Sequence, residues 1–96
     1  MITRQILRQK REAILEIARR YGAHDIRIFG SIARGDNTEA SDVDILVRFE
    51  PERSLLDHGG LIVDLEELLG VKVDVVDEDG MRPRFRAVVT REAVPL

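Results

Sequence analysis

Apolar residues recur along the chain with two different spacings, which distinguish helices from strands. A spacing of three or four residues marks amphipathic helices, and an alternation of apolar and polar residues marks strands. In chain order the pattern predicts a helix over residues 3–21, a strand over 25–29, a helical turn and loop over 32–41, a strand over 43–49, a helix over 55–69, a strand over 71–76, a helix over 81–91 and an edge strand over 93–96. This order predicts an α/β or α+β fold with a small layered sheet.

Single residues near the ends of these segments support their bounds. Thr3 suits the N-cap of the first helix, and Gly22 suits its end. Gly70 closes the helix over 55–69, whereas Gly59 and Gly60 weaken its first turns and leave its start open. The clearest strand is 43–49, whose apolar face is formed by Val43, Ile45, Val47 and Phe49.

The length of 96 residues allows one domain, residues 1–96, with a modest core. The chain has no cysteine, which excludes disulfides, thiolate metal sites and thiol nucleophiles and favours the cytoplasm. The N-terminal stretch is basic and lacks the apolar run of a secretory signal, and no segment reaches the ~20 apolar residues of a membrane span. We therefore expect a cytoplasmic protein without a membrane partner. Because one small domain leaves no room for a separate substrate-binding domain, any second substrate would bind at an open face or be a protein itself.

Charge is distributed unevenly along the chain. The net charge is +5 over residues 1–35, −11 over residues 36–80 and +3 over residues 81–96, within a total of −3. This pattern lacks the uniform basic surface that binds long nucleic acid. An acidic middle between basic ends suits a cation site with anion-binding groups beside it, although a solvated acidic surface has the same composition.

Gly30 and Ser31 follow directly after the predicted strand over 25–29. A glycine at this point lets backbone N–H groups approach an anion, and a helical turn beginning at Ser31 would direct its N-terminus at a phosphate. An ordinary turn with a helix cap has the same sequence, so this feature alone does not decide between them.

Asp42 and Asp44 lie at the start of the most apolar strand. In an extended segment, residues i and i+2 point to the same side about 6 to 7 Å apart, so both carboxylates can bind one hard cation or bridge two. Mg²⁺ suits such a pair because it completes its coordination shell with water and phosphate oxygens. The alternative is a polar strand entrance with solvated aspartates.

Asp74 is the third candidate ligand, flanked by valines in the strand over 71–76. We expect this strand to be central, where burying the carboxylate without a partner is costly. A metal ion shared with Asp42 and Asp44 would supply that partner. Lys72, on the same face, is the structural alternative.

The combination of Gly30-Ser31, Asp42-Val43-Asp44 and a distant third carboxylate resembles the signature of the DNA polymerase beta-like nucleotidyltransferase superfamily. The string FGSIARGDNTEASDVDILV, residues 29–47, resembles the small stand-alone members called minimal nucleotidyltransferases, and the match extends over residues 26–76. The closing residues REAVPL are also similar to the ends of those short proteins.

This resemblance implies a nucleotidyltransferase fold, a small mixed β-sheet with helices packed mainly on one side. It also implies transfer of a nucleoside monophosphate from a triphosphate, ATP, to a hydroxyl. Asp42 and Asp44 would hold two Mg²⁺ ions, and Asp74 would complete the ion that activates the acceptor hydroxyl. Gly30 and Ser31 would hold the β- and γ-phosphates. Arg34, one turn after Ser31, could also reach a phosphate, or it could be a surface arginine.

Minimal nucleotidyltransferases are associated with HEPN-domain ribonuclease toxins, so the resemblance implies an antitoxin that adenylylates a tyrosine of its toxin. Two alternatives remain: an antitoxin that neutralises the toxin by binding alone, and an enzyme that modifies a small molecule at a site completed by oligomerisation. His24 and His58 lie outside the motif, and we assign them no role. Arg82 and Arg86 share a face of the last helix and could meet a partner or the triphosphate.

Overall fold

A four-stranded mixed sheet forms the centre of the protein, which we describe from a computed structural model covering residues 1–96. In chain order the elements are α1 (Arg4–Gln9), α2 (Arg11–Arg20), β1 (Ala23–Phe29), α3 (Gly30–Arg34), β2 (Val43–Phe49), α4 (Leu55–Leu69), β3 (Val73–Asp77), a 3₁₀ turn (Glu78–Gly80), α5 (Pro83–Glu92) and β4 (Val94–Pro95). The strand order is β3-β2-β1-β4. β1 pairs antiparallel with both β2 and β4, and β2 pairs parallel with β3. The architecture confirms the expected mixed sheet.

The core lies between one face of the sheet and the helices α1, α2 and α4. The apolar side chains of β2 meet buried residues of these helices in one hydrophobic cluster, whose members include Leu7, Ile14, Ile17, Val43, Ile45, Val47, Leu61 and Leu65. Fully burying a side chain of this size stabilises the fold by about 1.5 to 3 kcal/mol. The helices therefore cover mainly one face of the sheet, as expected, and leave part of the other face open.

The predicted helix over 3–21 is two helices. Thr3 caps α1 as expected, with its hydroxyl oxygen accepting a hydrogen bond from the Ile6 amide at 3.2 Å. The chain bends at Lys10, which ends α1 and precedes α2. No proline or glycine marks this bend, and the helical spacing of apolar residues continues across it. The hydrophobic pattern therefore predicts one helix where the structure has two.

The helix α4 has the predicted bounds, and its start is settled by a feature that the sequence analysis did not use. Ser54 and Asp57 form a capping box, in which the Asp57 carboxylate accepts from the Ser54 amide at 3.0 Å. This cap satisfies amides that helical hydrogen bonds leave free, and it offsets the low helix propensity of Gly59 and Gly60. Gly70 ends the helix in a left-handed conformation, as expected. With 15 residues α4 is the longest helix, and no helix has the length and apolar character of a membrane span.

Two strands differ from their predicted positions. β1 begins two residues earlier, at Ala23, because a register shift between His24 and Arg27 lets the polar start of the strand pair with β2. β3 begins two residues later than predicted, at Val73, ends one residue later, at Asp77, and lies at an edge of the sheet. The expectation that Asp74 sits in a central strand was therefore wrong, and its side chain is exposed. Pro95 lies in the two-residue edge strand β4, where its missing N–H is tolerated.

Candidate active site

The three aspartates lie at the same end of the sheet, where β1 ends and β2 and β3 begin. Asp44 is the second residue of β2, and Asp74 is the second residue of β3. The two are register partners in the parallel pair, so their backbones lie about 4.8 Å apart and their side chains leave the same face. Asp42 precedes β2 by one residue. The sheet thus brings together two carboxylates separated by thirty positions in sequence.

Gly30 closes this end of the sheet from the β1 side. Phe29, the last residue of β1, is the register partner of Asp44, and Gly30 follows it with a φ of +76°. A Cβ atom at Gly30 would clash with Oδ2 of Asp44. The absence of a side chain therefore lets the Gly30 backbone lie directly against the Asp44 carboxylate, which explains why the motif needs glycine here.

The carboxylates are uncompensated by cationic side chains of the chain itself. Asp42, Asp44 and Asp74 take part in no ion pair and no side-chain hydrogen bond, and Lys72 is not paired with Asp74 as the alternative interpretation required. Partial burial, and then the charges of Asp74 and Asp42, raise the pKa of Asp44, while Arg34 opposes the shift. Negative charge is therefore concentrated where a cation would be stabilised.

The short helix α3 carries the other candidate residues. The amide of Gly30 donates to Oε1 of Glu92 at 2.8 Å, and Nη1 of Arg34 donates to the same oxygen at 2.9 Å. Nε of Arg34 also donates to Asp36 at 3.2 Å, and both carboxylates raise the pKa of Arg34. Ser31 is half-buried beside Gly30. The structure thus brings Gly30 to the aspartates, and the exposed Arg34 is paired with Glu92 and Asp36.

The chemistry of these side chains fits a magnesium ion, because all candidate ligands are carboxylate oxygens and the neighbouring Gly30 has no side chain that would block an ion. The carboxylates of Asp42, Asp44 and Asp74 do not form a cluster that could hold a metal ion without side-chain movement.

The surface around the aspartates is open. The two larger concavities, of about 510 and 600 Å³, lie elsewhere and include none of Asp42, Asp44 or Asp74. One lies between α2 and the start of β1, and the other is lined by residues 50–53 and Asp57. A ligand at the aspartates would thus bind on an exposed face of the sheet.

Two acidic residues with structural importance were missed by sequence reasoning, Glu92 and Glu78. Glu92 is the only acidic residue in the basic segment 81–96, and this isolation was the available signal. Glu78 is 6% exposed and accepts hydrogen bonds from Arg27 and Arg86. Arg86 is therefore paired with Glu78, whereas Arg82, at the N-cap position of α5, forms no ion pair.

Neither histidine enters the constellation of aspartates. Nε2 of His58 lies 2.8 Å from the Val75 carbonyl oxygen. The ring centroids of His58 and Phe49 lie 5.3 Å apart, with the two rings tilted against each other. His24 is exposed on β1.

Comparison with known proteins identifies the family. The nucleotidyltransferase domain family matches residues 8–96. The protein adenylyltransferase MntA of Thermococcus cleftensis is 44% identical over 79 residues, which cover 82% of this chain and 80% of the relative. A solved structure described as a candidate minimal nucleotidyltransferase is 53% identical, with a TM-score of 0.89 and coverage of 99% of this chain and 97% of the other.

A more distant solved structure, described as a toxin-antitoxin with AMP-PNP, matches with a TM-score of 0.76. It is 23% identical and covers 88% of this chain and 69% of the other, so this likeness shows the fold alone. The family match, together with Gly30 held against Asp44 and Asp44 in register with Asp74, leads to one conclusion. The chain belongs to the nucleotidyltransferase domain family, among its minimal nucleotidyltransferases.

Proposed function

We propose that this chain is a Mg²⁺-dependent protein adenylyltransferase that transfers AMP from ATP to a tyrosine hydroxyl of a HEPN ribonuclease toxin, and thereby acts as its antitoxin. The observation that carries the proposal is the register pairing of Asp44 with Asp74 beside Gly30. The choice of ATP and of a protein acceptor is supported by the name of the Thermococcus relative. The choice of a toxin as partner is supported by the toxin-antitoxin neighbour with AMP-PNP.

The residue roles in this proposal follow from charge and position. Asp42, Asp44 and Asp74 would hold the metal ions, and the N–H of the Gly30–Ser31 peptide and the Ser31 hydroxyl, with Arg34, would hold the β- and γ-phosphates. The Gly30 amide itself donates to Glu92. Two bound Mg²⁺ ions would supply charge compensation at the α-phosphorus and lower the pKa of the acceptor hydroxyl. In the transfer the acceptor hydroxyl would lose its proton to solvent as its oxygen bonds to the α-phosphorus, and the bond from the α-phosphorus to the bridging oxygen would break, so that pyrophosphate leaves. The chain itself contributes mainly positioning.

The open face around the aspartates favours a protein acceptor over a small molecule. A small acceptor is usually held in a concave pocket, and neither of the larger concavities lies at the aspartates. A tyrosine presented by a folded partner would bring its own surface to close this face. The acceptor site would then belong to the complex of the two proteins.

The test is the intact mass of the protein encoded by the neighbouring gene after incubation with this chain, ATP and Mg²⁺. We expect a gain of one or more adenylate units, located on a tyrosine by peptide mapping. The double variant Asp42→Asn, Asp44→Asn should reduce the rate by at least about a hundredfold. Glu39→Gln, which removes an exposed carboxylate from the same loop, should leave the rate unchanged.

Other outcomes would replace this proposal. A stable complex without any mass gain would favour an antitoxin that acts by binding alone. Consumption of ATP without a heavier protein would favour a small-molecule acceptor. Full activity of the double variant would exclude the aspartates as the catalytic group.

A further inference from the structure

We propose that Glu92 is a positioning residue of the nucleotide site, which clamps both ends of α3 so that Gly30, Ser31 and Arg34 are held ready for the triphosphate. This inference rests on the proposed function, because it assigns a role to a residue that supports the same site. Glu92 lies more than fifty positions from α3 in sequence, and the tertiary fold alone brings them together.

One oxygen of Glu92 accepts both hydrogen bonds. Oε1 receives the Gly30 amide at 2.8 Å and Nη1 of Arg34 at 2.9 Å. Gly30 is the first residue of α3 and Arg34 is the last. A helix of 5 residues is too short to be stable by itself, so its geometry depends on such tertiary contacts. The Glu92 carboxylate thus fixes the element that presents the Gly-Ser motif.

The clamp also sets the direction of the Gly30 backbone. Gly30 has a φ of +76°, its Cα faces the Asp44 carboxylate and its amide faces Glu92. Asp44 and Glu92 therefore hold the glycine from two sides. Loss of the Glu92 contact would free the peptide between Phe29 and Gly30 to rotate, and Ser31 would move with it.

Glu92 itself is held by two structured neighbours. It is the last residue of α5, and two residues later Val94 pairs with Ile28 of β1. Arg86, earlier in α5, is anchored on buried Glu78. These contacts place the carboxylate rigidly beside the end of β1, so it can act as a fixed point for α3.

Glu92 forms an ion pair with Arg34, whereas Asp42, Asp44 and Asp74 form none. Asp36 is the second carboxylate on Arg34, with Nε donating to it at 3.2 Å. Asp36 has no contact with the Gly30 amide. Substitutions at Glu92 and Asp36 can therefore be compared directly. Each removes a partner of Arg34, but only the substitution of Glu92 also removes the partner of the Gly30 amide.

The experiment measures binding of Mg²⁺ and AMP-PNP by calorimetry to the wild-type chain and to Glu92→Ala, Glu92→Gln and Asp36→Ala. Glu92→Ala should raise Kd by about tenfold or more, the effect of losing a hydrogen bond to a charged group. Glu92→Gln keeps an acceptor oxygen for Gly30 and should recover part of the affinity. Asp36→Ala should stay within about twofold of the wild type, since one charge partner of Arg34 remains.

Two further readouts separate positioning from a general loss of stability. Exchange of the Gly30 amide with solvent deuterium, followed by NMR, should accelerate in Glu92→Ala and not in Asp36→Ala. In the transfer reaction, Glu92→Ala should raise KM for ATP more than it lowers kcat. All measurements are made at a temperature where thermal unfolding shows every variant to be folded.

Equal affinity of Glu92→Ala and the wild type, with unchanged exchange at Gly30, would overturn the inference and leave the proposed function standing. An equal loss of affinity in Asp36→Ala would also overturn it, because the effect would then belong to Arg34 alone. Absence of binding by the wild type would instead overturn the proposed function, and the inference with it.

Discussion

At the scale of single residues, both the backbone conformation of Gly30 and its surroundings disfavour a side chain. Its backbone has a positive φ, and the space that a Cβ atom would need is already taken by the carboxylate of Asp44. Gly35, at the other end of α3, also has a positive φ, of +82°, but nothing lies within 4 Å of its missing Cβ. Replacing either glycine by a residue with a side chain therefore strains the backbone, but only at Gly30 would the new side chain also clash with a neighbour.

This difference leads to a paired prediction. Gly35→Ala should lower the free energy of unfolding by about 1 kcal/mol, the cost of a left-handed alanine. Gly30→Ala should cost at least about 1 kcal/mol more, because the new methyl group must displace Asp44. Chemical denaturation of both variants measures the difference. Equal costs would show that the Asp44 carboxylate moves aside freely.

At the scale of elements, the 3₁₀ turn after β3 joins the open face of the sheet to α5. Glu78 accepts hydrogen bonds from Arg27 of β1 and, at 2.6 Å, from Arg86 of α5. Arg48 of β2 lies next to this group and pairs with Asp79 at 3.0 Å. Since α5 has no fully buried residue, this polar cluster and Glu92 carry much of its attachment.

We therefore expect Glu78→Gln to lower the free energy of unfolding at pH 7 by about 2 to 4 kcal/mol, because it leaves two arginines without their shared anion. The hydrogen bonds from Arg27 and Arg86 lower the pKa of Glu78 below its usual value of 4.5. A lowered pKa stabilises the fold above the unfolded pKa, and this stabilisation is lost as the pH falls through the folded value. The difference in free energy of unfolding between the wild type and Glu78→Gln should thus shrink below about pH 4.

Denaturation as a function of pH tests this expectation. Glu67→Gln, an exposed carboxylate of α4 without an ion pair, should match the wild type at every pH. A difference for Glu78→Gln that stays constant down to pH 2 would contradict the ionic origin of the effect.

At the scale of the whole molecule, the fold concentrates negative charge at one end of the sheet. The core side is apolar and covered by helices, whereas the aspartates face outward beside Gly30. The chain without metal thus holds repelling carboxylates in place, and a cation with its triphosphate would relieve the repulsion. Stability and ligand binding are expected to respond in opposite directions to loss of a carboxylate.

Asp44→Asn should raise the melting temperature at pH 7 without metal, since burial and the charges of Asp74 and Asp42 raise the pKa of Asp44. A raised pKa means that the ionised group weakens the fold, so the gain should vanish as the pH falls towards 3.8, the ordinary value. With Mg²⁺ and AMP-PNP at 100 times Kd, the wild type should melt about 10 °C or more higher. Asp44→Asn should show little of this shift, and an equal shift in both proteins would place the ligand elsewhere.

The sequence by itself determined the order of the elements, the bounds of β2 and α4, and the motif of Gly30, Ser31, Asp42 and Asp44. These features are local, because hydrophobic spacing, caps and turn glycines act over a few residues. The bend at Lys10 and the capping box at Ser54 are also local, but their signals were weaker than the hydrophobic pattern.

The tertiary structure alone decided which distant residues meet. It placed β3 at the sheet edge, set Asp74 in register with Asp44, and brought Glu92 to α3 and Glu78 to the arginines of two other elements. Spacing along a chain fixes the face on which a side chain lies, but strand order and register depend on packing between segments. The carboxylates of the proposed metal site could thus be named from the sequence, and the contacts that hold their surroundings in place could not.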